Sequence, residues 1–239
     1  VENHTLKIGE DSSFYHMFYN YLDSITTTGE DGLYRRFTLN PNVLVRVITI
    51  SEQFNMNKFY NTGYDESVDY DFIAFTNSDL IFYPGWFENC AAQLDSKLHP
   101  NAGIMVPASS LPTSQLLKAT QNGTKEVGAF RIGAERKEIR LIDEVSGPGW
   151  LFLFSRECWL TFMPWDEELA GWKQDWFAYQ KLAHLGWKAY VDLSSTVQHL
   201  EGKTFLHIRS KDPKEHYRLT HDPSVEKAYR QLLKKYGIR

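Results

Sequence analysis

The chain has 239 residues, enough for one α/β domain with a full core, or one domain and a tail. Its 26 Lys and Arg against 30 Asp and Glu leave a formal charge of −4, which argues against a general nucleic-acid binder, because phosphate neutralisation needs a basic patch. No apolar run approaches the length of a membrane span and no leader-like segment is visible, so the expectation is a chain without a membrane span, placed in the cytoplasm.

From the N-terminus, Leu6 to Ser13 reads as a strand running into a helix cap, and Phe14 to Ile25 as a helix with Phe18, Tyr21 and Leu22 on one face. Val43 to Ile50, rich in Val and Ile, is the clearest early strand. A polar stretch follows over Phe54 to Asp65. Gly9, Glu10, Ser51 and Asn61 are the small or polar residues near these elements, and capping or turn roles explain them as well as any chemistry does.

Phe72 to Thr76 is apolar, aromatic or β-branched with no helical period, which reads as a strand buried on both faces and so as part of a parallel sheet. Ligands of open α/β sheets sit outside the carboxyl ends of the strands. Asn77 and Asp79 stand at that edge, two residues apart, where an amide and a carboxylate can reach a divalent cation and its phosphates. A strand-to-turn junction that favours Asn, Ser and Asp is the equally good plain reading. Pro84-Gly85 then opens a helix over Trp86 to Leu98, with Trp86, Cys90, Ala91 and Leu94 on one stripe, and Ala102 to Pro107 forms the next strand. Cys90 on that stripe and the distant Cys158 read as free thiols.

Residues 109 to 144 read as a variable, loop-rich insertion. Gly147 and Gly149 flank Pro148, either as a plain turn or as a place where backbone can approach a ligand closely. Asp175 lies at the start of a helix of about a dozen residues. The helix N-terminus favours its ionised form, whereas an apolar wall from Trp172 and Trp176 disfavours it. His199 follows strand-like segments at Ala189 to Asp192 and Ser195 to Val197. Asp222-Pro223 caps a terminal helix from Val225 to Tyr236, stopped by Gly237.

The segment FIAFTNSDLIFYPGWFENCAAQLDSKLHPNAGIMVP resembles the central part of GT-A fold glycosyltransferases, above all the family-2-like inverting enzymes and their rhamnosyltransferase-type members. Further blocks are similar to the same family in order and spacing, over residues roughly 45 to 205: Val145 to Arg156, Pro164 to Leu169, Trp172 to Leu182, His184 to Lys188 and Val197 to Gly202. YNYLDSI resembles the family's first helix, and Phe54 to Asp65 its segment against the donor's base and ribose.

The resemblance implies one Rossmann-like α/β domain over residues 1–239, with a mostly parallel mixed central sheet flanked by helices. Its nucleotide-sugar part would span about 1–107, its acceptor part about 108–205 and a helical tail about 206–239. It implies a UDP-sugar donor (UDP-rhamnose or UDP-glucose among the first to test), a carbohydrate acceptor, and Mn²⁺ or Mg²⁺ held by Asp79 and His199 with Asn77 assisting. A histidine ligand favours Mn²⁺. Gly9, Glu10, Ser51 and Asn61 would contact the nucleoside, Asp175 would act as the base, and Gly147, Gly149, Trp150 and Trp172, with Trp165, would line the acceptor site.

Three departures from the family pattern qualify this. Asn77 stands where Asp or Glu is usual, Gln174 where Glu is usual, and the first-strand P-x-Y-N signature is missing. Asn3-His-Thr and Asn122-Gly-Thr match glycosylation acceptors, expected to be chance without a secretion signal, and the initial Val fits one domain of a larger polypeptide. The alternatives are a carbohydrate-binding or degenerate transferase domain, and a sugar nucleotidyltransferase. The latter wants a basic, Gly-rich loop after its first strand, and Gly9-Glu10-Asp11-Ser12 has no basic residue.

Overall fold

The computed structural model describes residues 2–3, 27–31, 34–40, 43–50, 53–64, 70–77, 80–95, 97–109, 117–121, 124–128, 139–142, 149–199 and 209–238. The chain divides into two compact units, Val1–Asp65 and Glu66–Arg239. In the first unit, β1 (Glu2–Asn3), β2 (Thr27–Asp31), β3 (Tyr34–Asn40) and β4 (Val43–Ile50) form a sheet of order β1-β4-β3-β2. β2, β3 and β4 are antiparallel neighbours, and β1 runs parallel to β4. β4 has the bounds expected of it. α1 (Met56–Gly63) begins where the Asn55 side chain accepts a bond from the Lys58 N–H at 3.1 Å, an N-cap that satisfies one orphan donor. The strand and helix expected over residues 6–25 lie outside the described residues.

The second unit holds β5 (Phe72–Thr76), β6 (Leu80–Phe82), α2 (Trp86–Gln93), β7 (Ala102–Ser109), β8 (Leu117–Gln121), β9 (Thr124–Gly128) and β10 (Ile139–Ile142). After these come β11 (Leu151–Ser155), α3 (Arg156–Phe162), α4 (Gln174–His184), β12 (Lys188–His199), α5 (Pro213–Thr220) and α6 (Pro223–Tyr236). The sheet order is β5-β11-β7-β12-β10-β8-β9, with β6 paired to β12. The expected α/β class with a mixed sheet flanked by helices is present. Its mostly parallel character is not: in this unit only β7 and β12 pair in parallel, and every other described pairing is antiparallel.

β5 shows one part of that difference. It ends the sheet order and buries only Phe75, whereas β11, Leu-Phe-Leu-Phe-Ser, is buried at all five positions and sits between β5 and β7. A short apolar run has the same appearance whether one face is covered or two. The core forms where Phe75, Phe152, Phe154 and Phe162 meet Trp165 nearly edge-on, with ring centroids 4.9–6.2 Å apart. Trp165, read from the sequence as acceptor wall, is therefore a core residue, 2% exposed.

Two local interactions set the ends of elements. α2 stops at Gln93, not Leu98, because the chain turns at Asp95. Its carboxylate accepts from the Lys97 N–H, and its carbonyl accepts from Leu98 and His99. Between β7 and β12 the pairing slips from Asp192↔Pro107 to Thr196↔Ala108. Pro107 has no N–H to give a partner, and β12 bulges beside it. The fully buried Asp192 then accepts from the Ser194 N–H (2.8 Å), the Ser194 hydroxyl (2.5 Å) and the Ser195 hydroxyl (2.5 Å), which holds the bulge closed. Residues 109 to 144, expected as loops, contribute three strands to the sheet. Gln121 pairs with Thr124 across Asn122-Gly123, a dipeptide that favours a tight hairpin.

The tail is as expected and longer by one helix. Asp212 caps α5 and Asp222 caps α6, each ahead of a proline, and Gly237 ends α6 at φ 68. Cys90 and Cys158 are buried free thiols, as expected. Under α6, Lys181 and Asp166 form a buried ion pair at 2.9 Å, with each side chain 5% exposed. Tyr236 and Lys235 also donate to Asp166. Desolvation opposes its charge, but these donors, Lys181 first, hold its carboxyl below the usual range. Removing one partner of such a pair strands the other charge. Asp166→Leu should therefore cost about 3–5 kcal/mol, measured by urea unfolding at pH 7, and an unchanged midpoint would contradict this.

Candidate functional site

β5, β7 and β12 run in the same direction and β11 runs against them, so the carboxyl ends of three strands and the start of β11 share one edge of the sheet. Asn77 lies at that edge, its N–H donating to the Trp150 carbonyl at 2.9 Å. His199, the last residue of β12, is buried and pairs with Leu80, the residue after Asp79 in the chain. The Trp150 ring lies against the His199 ring, centroids 5.5 Å apart. A strand-end backbone ladder thus brings together Asn77, Trp150 and His199, which are far apart in sequence.

α4 begins at the same edge. A β-carbon on Gly149 would fall 2.6 Å from Asp175 Oδ2 and 2.8 Å from its Cβ, so the carboxylate packs directly on the Gly149 backbone. This close approach is the reason for glycine at 149. Asp175 Oδ1 accepts from the Trp176 N–H at 2.9 Å. Burial outweighs these backbone donors and pushes the Asp175 carboxyl up to about 6. The two opposing effects read from the sequence are thereby settled in favour of desolvation. Tyr179, one turn further on and almost fully buried, has its hydroxyl pushed well above the usual range, first by burial and then by the Asp175 charge.

Lys173 starts this helix in the left-handed conformation, φ 66, and no side chain caps the helix there. Its ammonium pairs with Glu226 of α6 and lies over the Tyr229 ring at 4.9 Å and the Trp176 ring at 5.6 Å. Trp172 and Trp176, on either side of Asp175 in the chain, are 49% and 41% exposed. Trp150 is 1% exposed and backs the site rather than presenting a face to solvent. Among the described residues, its indole N–H and the Gln174 side-chain carbonyl are buried without a hydrogen-bond partner.

Of the residues singled out in the sequence, the structure gathers Asn77, Gly149, Trp150, Asp175 and His199 at one edge, with Trp172 exposed three residues before Asp175. Asn61 lies in α1 of the first unit. Gly9, Glu10, Ser51, Asp79 and Gly147 lie outside the described residues. Among the described residues no three His, Cys, Asp or Glu side chains converge as a metal site. Of the two side chains read from the sequence as metal ligands, the described one is the His199 imidazole, on a residue paired in register with Leu80. Sequence reasoning did not single out Lys173, Asp192 or Tyr179. A lysine two residues ahead of an N-terminal helical aspartate carried no signal for a positive φ.

No protein-family model matches the chain, and no curated protein matches its sequence. Solved structures do match its fold. One is described as GalNAc-T7 with UDP, GalNAc and Mn²⁺; it superposes with a TM-score of 0.53 at 12% identity, over 80% of this chain and 37% of that one. The chain thus spans just over a third of that structure's length. The shared feature is the GT-A glycosyltransferase fold, a central mixed sheet flanked by helices.

The raised Asp175 value fixes the sign of a stability effect. Its folded pKa lies above the unfolded carboxylate value, so the folded state binds the proton more tightly. The resulting stabilisation is complete below about pH 4 and lost as pH rises through about 6. Asp175→Asn removes the charge that partial desolvation disfavours. The variant should match wild type near pH 4 and exceed it by about 2–3 kcal/mol at pH 8, read by urea unfolding at both values. Equal stabilities at pH 8 would show that Asp175 titrates as an ordinary surface carboxylate. Gly149→Ala should lose the close approach, and the Asp175 titration midpoint with it, followed by carboxyl ¹³C NMR.

Proposed function

We propose that this chain is the catalytic domain of a metal-assisted, inverting glycosyltransferase that moves a hexosyl group from a UDP-sugar to a hydroxyl of a carbohydrate acceptor. The observation that carries this reading is Asp175: a carboxylate at a helix start, packed on Gly149 at the carboxyl edge of the sheet, with its basicity raised by burial to about 6. A base with that pKa is mostly ionised at pH 7 and still able to hold a proton, the compromise general-base catalysis needs.

In this reading Asp175 takes the proton from the acceptor hydroxyl as its oxygen attacks the anomeric carbon. The new C–O bond forms on the face opposite the departing diphosphate, whose own bond to that carbon breaks. One transferred sugar, one nucleoside diphosphate and one proton balance the step. Gly149 lets the Asp175 carboxylate lie against the strand start, Gly147 is a candidate acceptor contact, and Trp172 offers an exposed indole for the apolar face of the acceptor ring. Trp150 and Gln174 back the site from below. Gly9, Glu10, Ser51 and Asn61 are the candidate nucleoside contacts.

Asp79 and His199, with the Asn77 carbonyl assisting, are the residues that would hold Mn²⁺ or Mg²⁺. The ion would neutralise charge on the departing diphosphate, usually the largest electrostatic demand of such a transfer. With an amide at 77 in place of a carboxylate, the site carries one negative charge less, so ion binding should depend strongly on the donor's own phosphates.

Titration calorimetry with UDP, first with Mn²⁺ and then with EDTA, tests the donor site. Binding should require the ion and disappear in Asp79→Ala. For the chemistry, Asp175→Asn should lower kcat for UDP-sugar turnover by about 10²–10⁴-fold while UDP still binds, and the anomeric configuration of the product read by NMR should be inverted. UDP binding with undiminished turnover in Asp175→Asn would remove Asp175 as base. Sugar binding without any UDP binding would favour a carbohydrate-binding domain.

A further inference from the structure

Lys173 occupies a backbone conformation in which residues other than glycine are uncommon, and glycine would sit there without strain. Its side chain gives a reason for lysine. The ammonium reaches α6, where it pairs with Glu226 and covers the ring of Tyr229 one turn along. α6 holds α4 at two further levels. Tyr229 donates to the Gln180 side chain at 2.8 Å, and Tyr236 and Lys235 share Asp166 with Lys181. Between these, Phe177 packs with Leu169 and Leu232. Of the three levels, the Lys173–Glu226 tie is the one at the turn immediately ahead of Asp175, a turn the Leu219 carbonyl of α5 also holds through the Trp172 N–H.

We infer that Lys173 and Glu226 are positioning residues for Asp175: their ion pair fixes the left-handed turn that sets where α4 begins, and so presses the Asp175 carboxylate onto the Gly149 backbone. The terminal helix, far from the reacting atoms in sequence, thereby becomes part of the site's construction. An exposed ion pair is ordinarily worth little. This one differs because its lysine is also the residue with the unfavourable backbone angle, and such angles persist where surrounding groups hold them. The inference rests on the reading of Asp175 as the base, but its geometry can be tested without a substrate.

Among the described residues, three titratable groups lie near Asp175. Tyr179 lies one turn along its own helix, Lys173 is committed to Glu226, and His199 stands beyond the Trp150 ring at the end of β12. The Asp175 midpoint therefore reports chiefly how well water is kept from it. The experiment follows the Asp175 carboxyl by ¹³C NMR across pH 3–9 in the full chain, for wild type, Glu226→Gln, Lys173→Met and Lys173→Arg, with thermal midpoints recorded alongside. Glu226→Gln and Lys173→Met should move the Asp175 midpoint down toward the ordinary carboxylate value, with little change in thermal midpoint. Lys173→Arg, which retains charge and reach, should titrate like wild type. Where a UDP-sugar is turned over, the same two variants should lose roughly tenfold in kcat at unchanged donor KM.

A midpoint in Glu226→Gln equal to that of wild type would overturn the inference. So would a Lys173→Arg protein that titrates like Lys173→Met. If the midpoints move as expected but wild type turns over no UDP-sugar, the positioning role stands and the transferase reading falls.

Discussion

The contact between the Asp175 carboxylate and the backbone of Gly149 constrains the rest of the second unit. There is no space between them for even a methyl group, so β11 must begin, and α4 must start, within a few ångströms of each other at one sheet edge. That closeness shields part of the carboxylate from water, although the side chain is not fully buried, and desolvation raises its basicity. It also places a group with a midpoint near neutrality beside the strand ends where α/β sheets take their ligands. A bulkier residue at 149 would separate the two elements and return Asp175 to water.

The supports of that contact come from three directions. From the sheet side, Phe152 stacks against Tyr179, centroids 5.5 Å apart, so α4 is seated on β11 by its buried face. From the outer side, α6 lies against the same helix through Phe177, Tyr229 and Tyr236, and through the buried Lys181–Asp166 pair. From the next strand over, the Asp192 bulge lets β12 run on past Pro107 and pair its end with β6, which brings His199 beside Trp150. Buried carboxylates at Asp166 and Asp192 are tolerated because several donors surround each one.

Much of this was legible residue by residue. The strand at Val43–Ile50, the one read from Ala102 to Pro107 that runs on to Ser109, the capped terminal helix with its glycine stop, and the two free buried cysteines follow from local propensity and capping chemistry, which neighbouring residues supply. Asp175 could be placed at a helix start for the same reason. The errors were of a different kind. Phe72–Thr76 was expected deep in a parallel sheet and lies at its end, antiparallel to β11. Trp165 was expected at a site wall and lies among four phenylalanines. An apolar side chain states that it wants cover, but not which neighbour provides it.

What the sequence by itself determined is the set of elements and the chemistry available at their ends: an amide at 77, glycines at 147 and 149, carboxylates at 79 and 175, and an imidazole at 199. Only the tertiary structure decided which of these meet, since strand order, the direction of each pairing and the slip at Pro107 arise from contacts between residues tens of positions apart. The direction of the Asp175 shift belongs to that second class. The helix N-terminus that lowers a carboxylate's pKa is written locally in the chain, whereas the desolvation that outweighs it requires the Gly149 backbone, delivered by another strand, to occupy the space where water would otherwise stand.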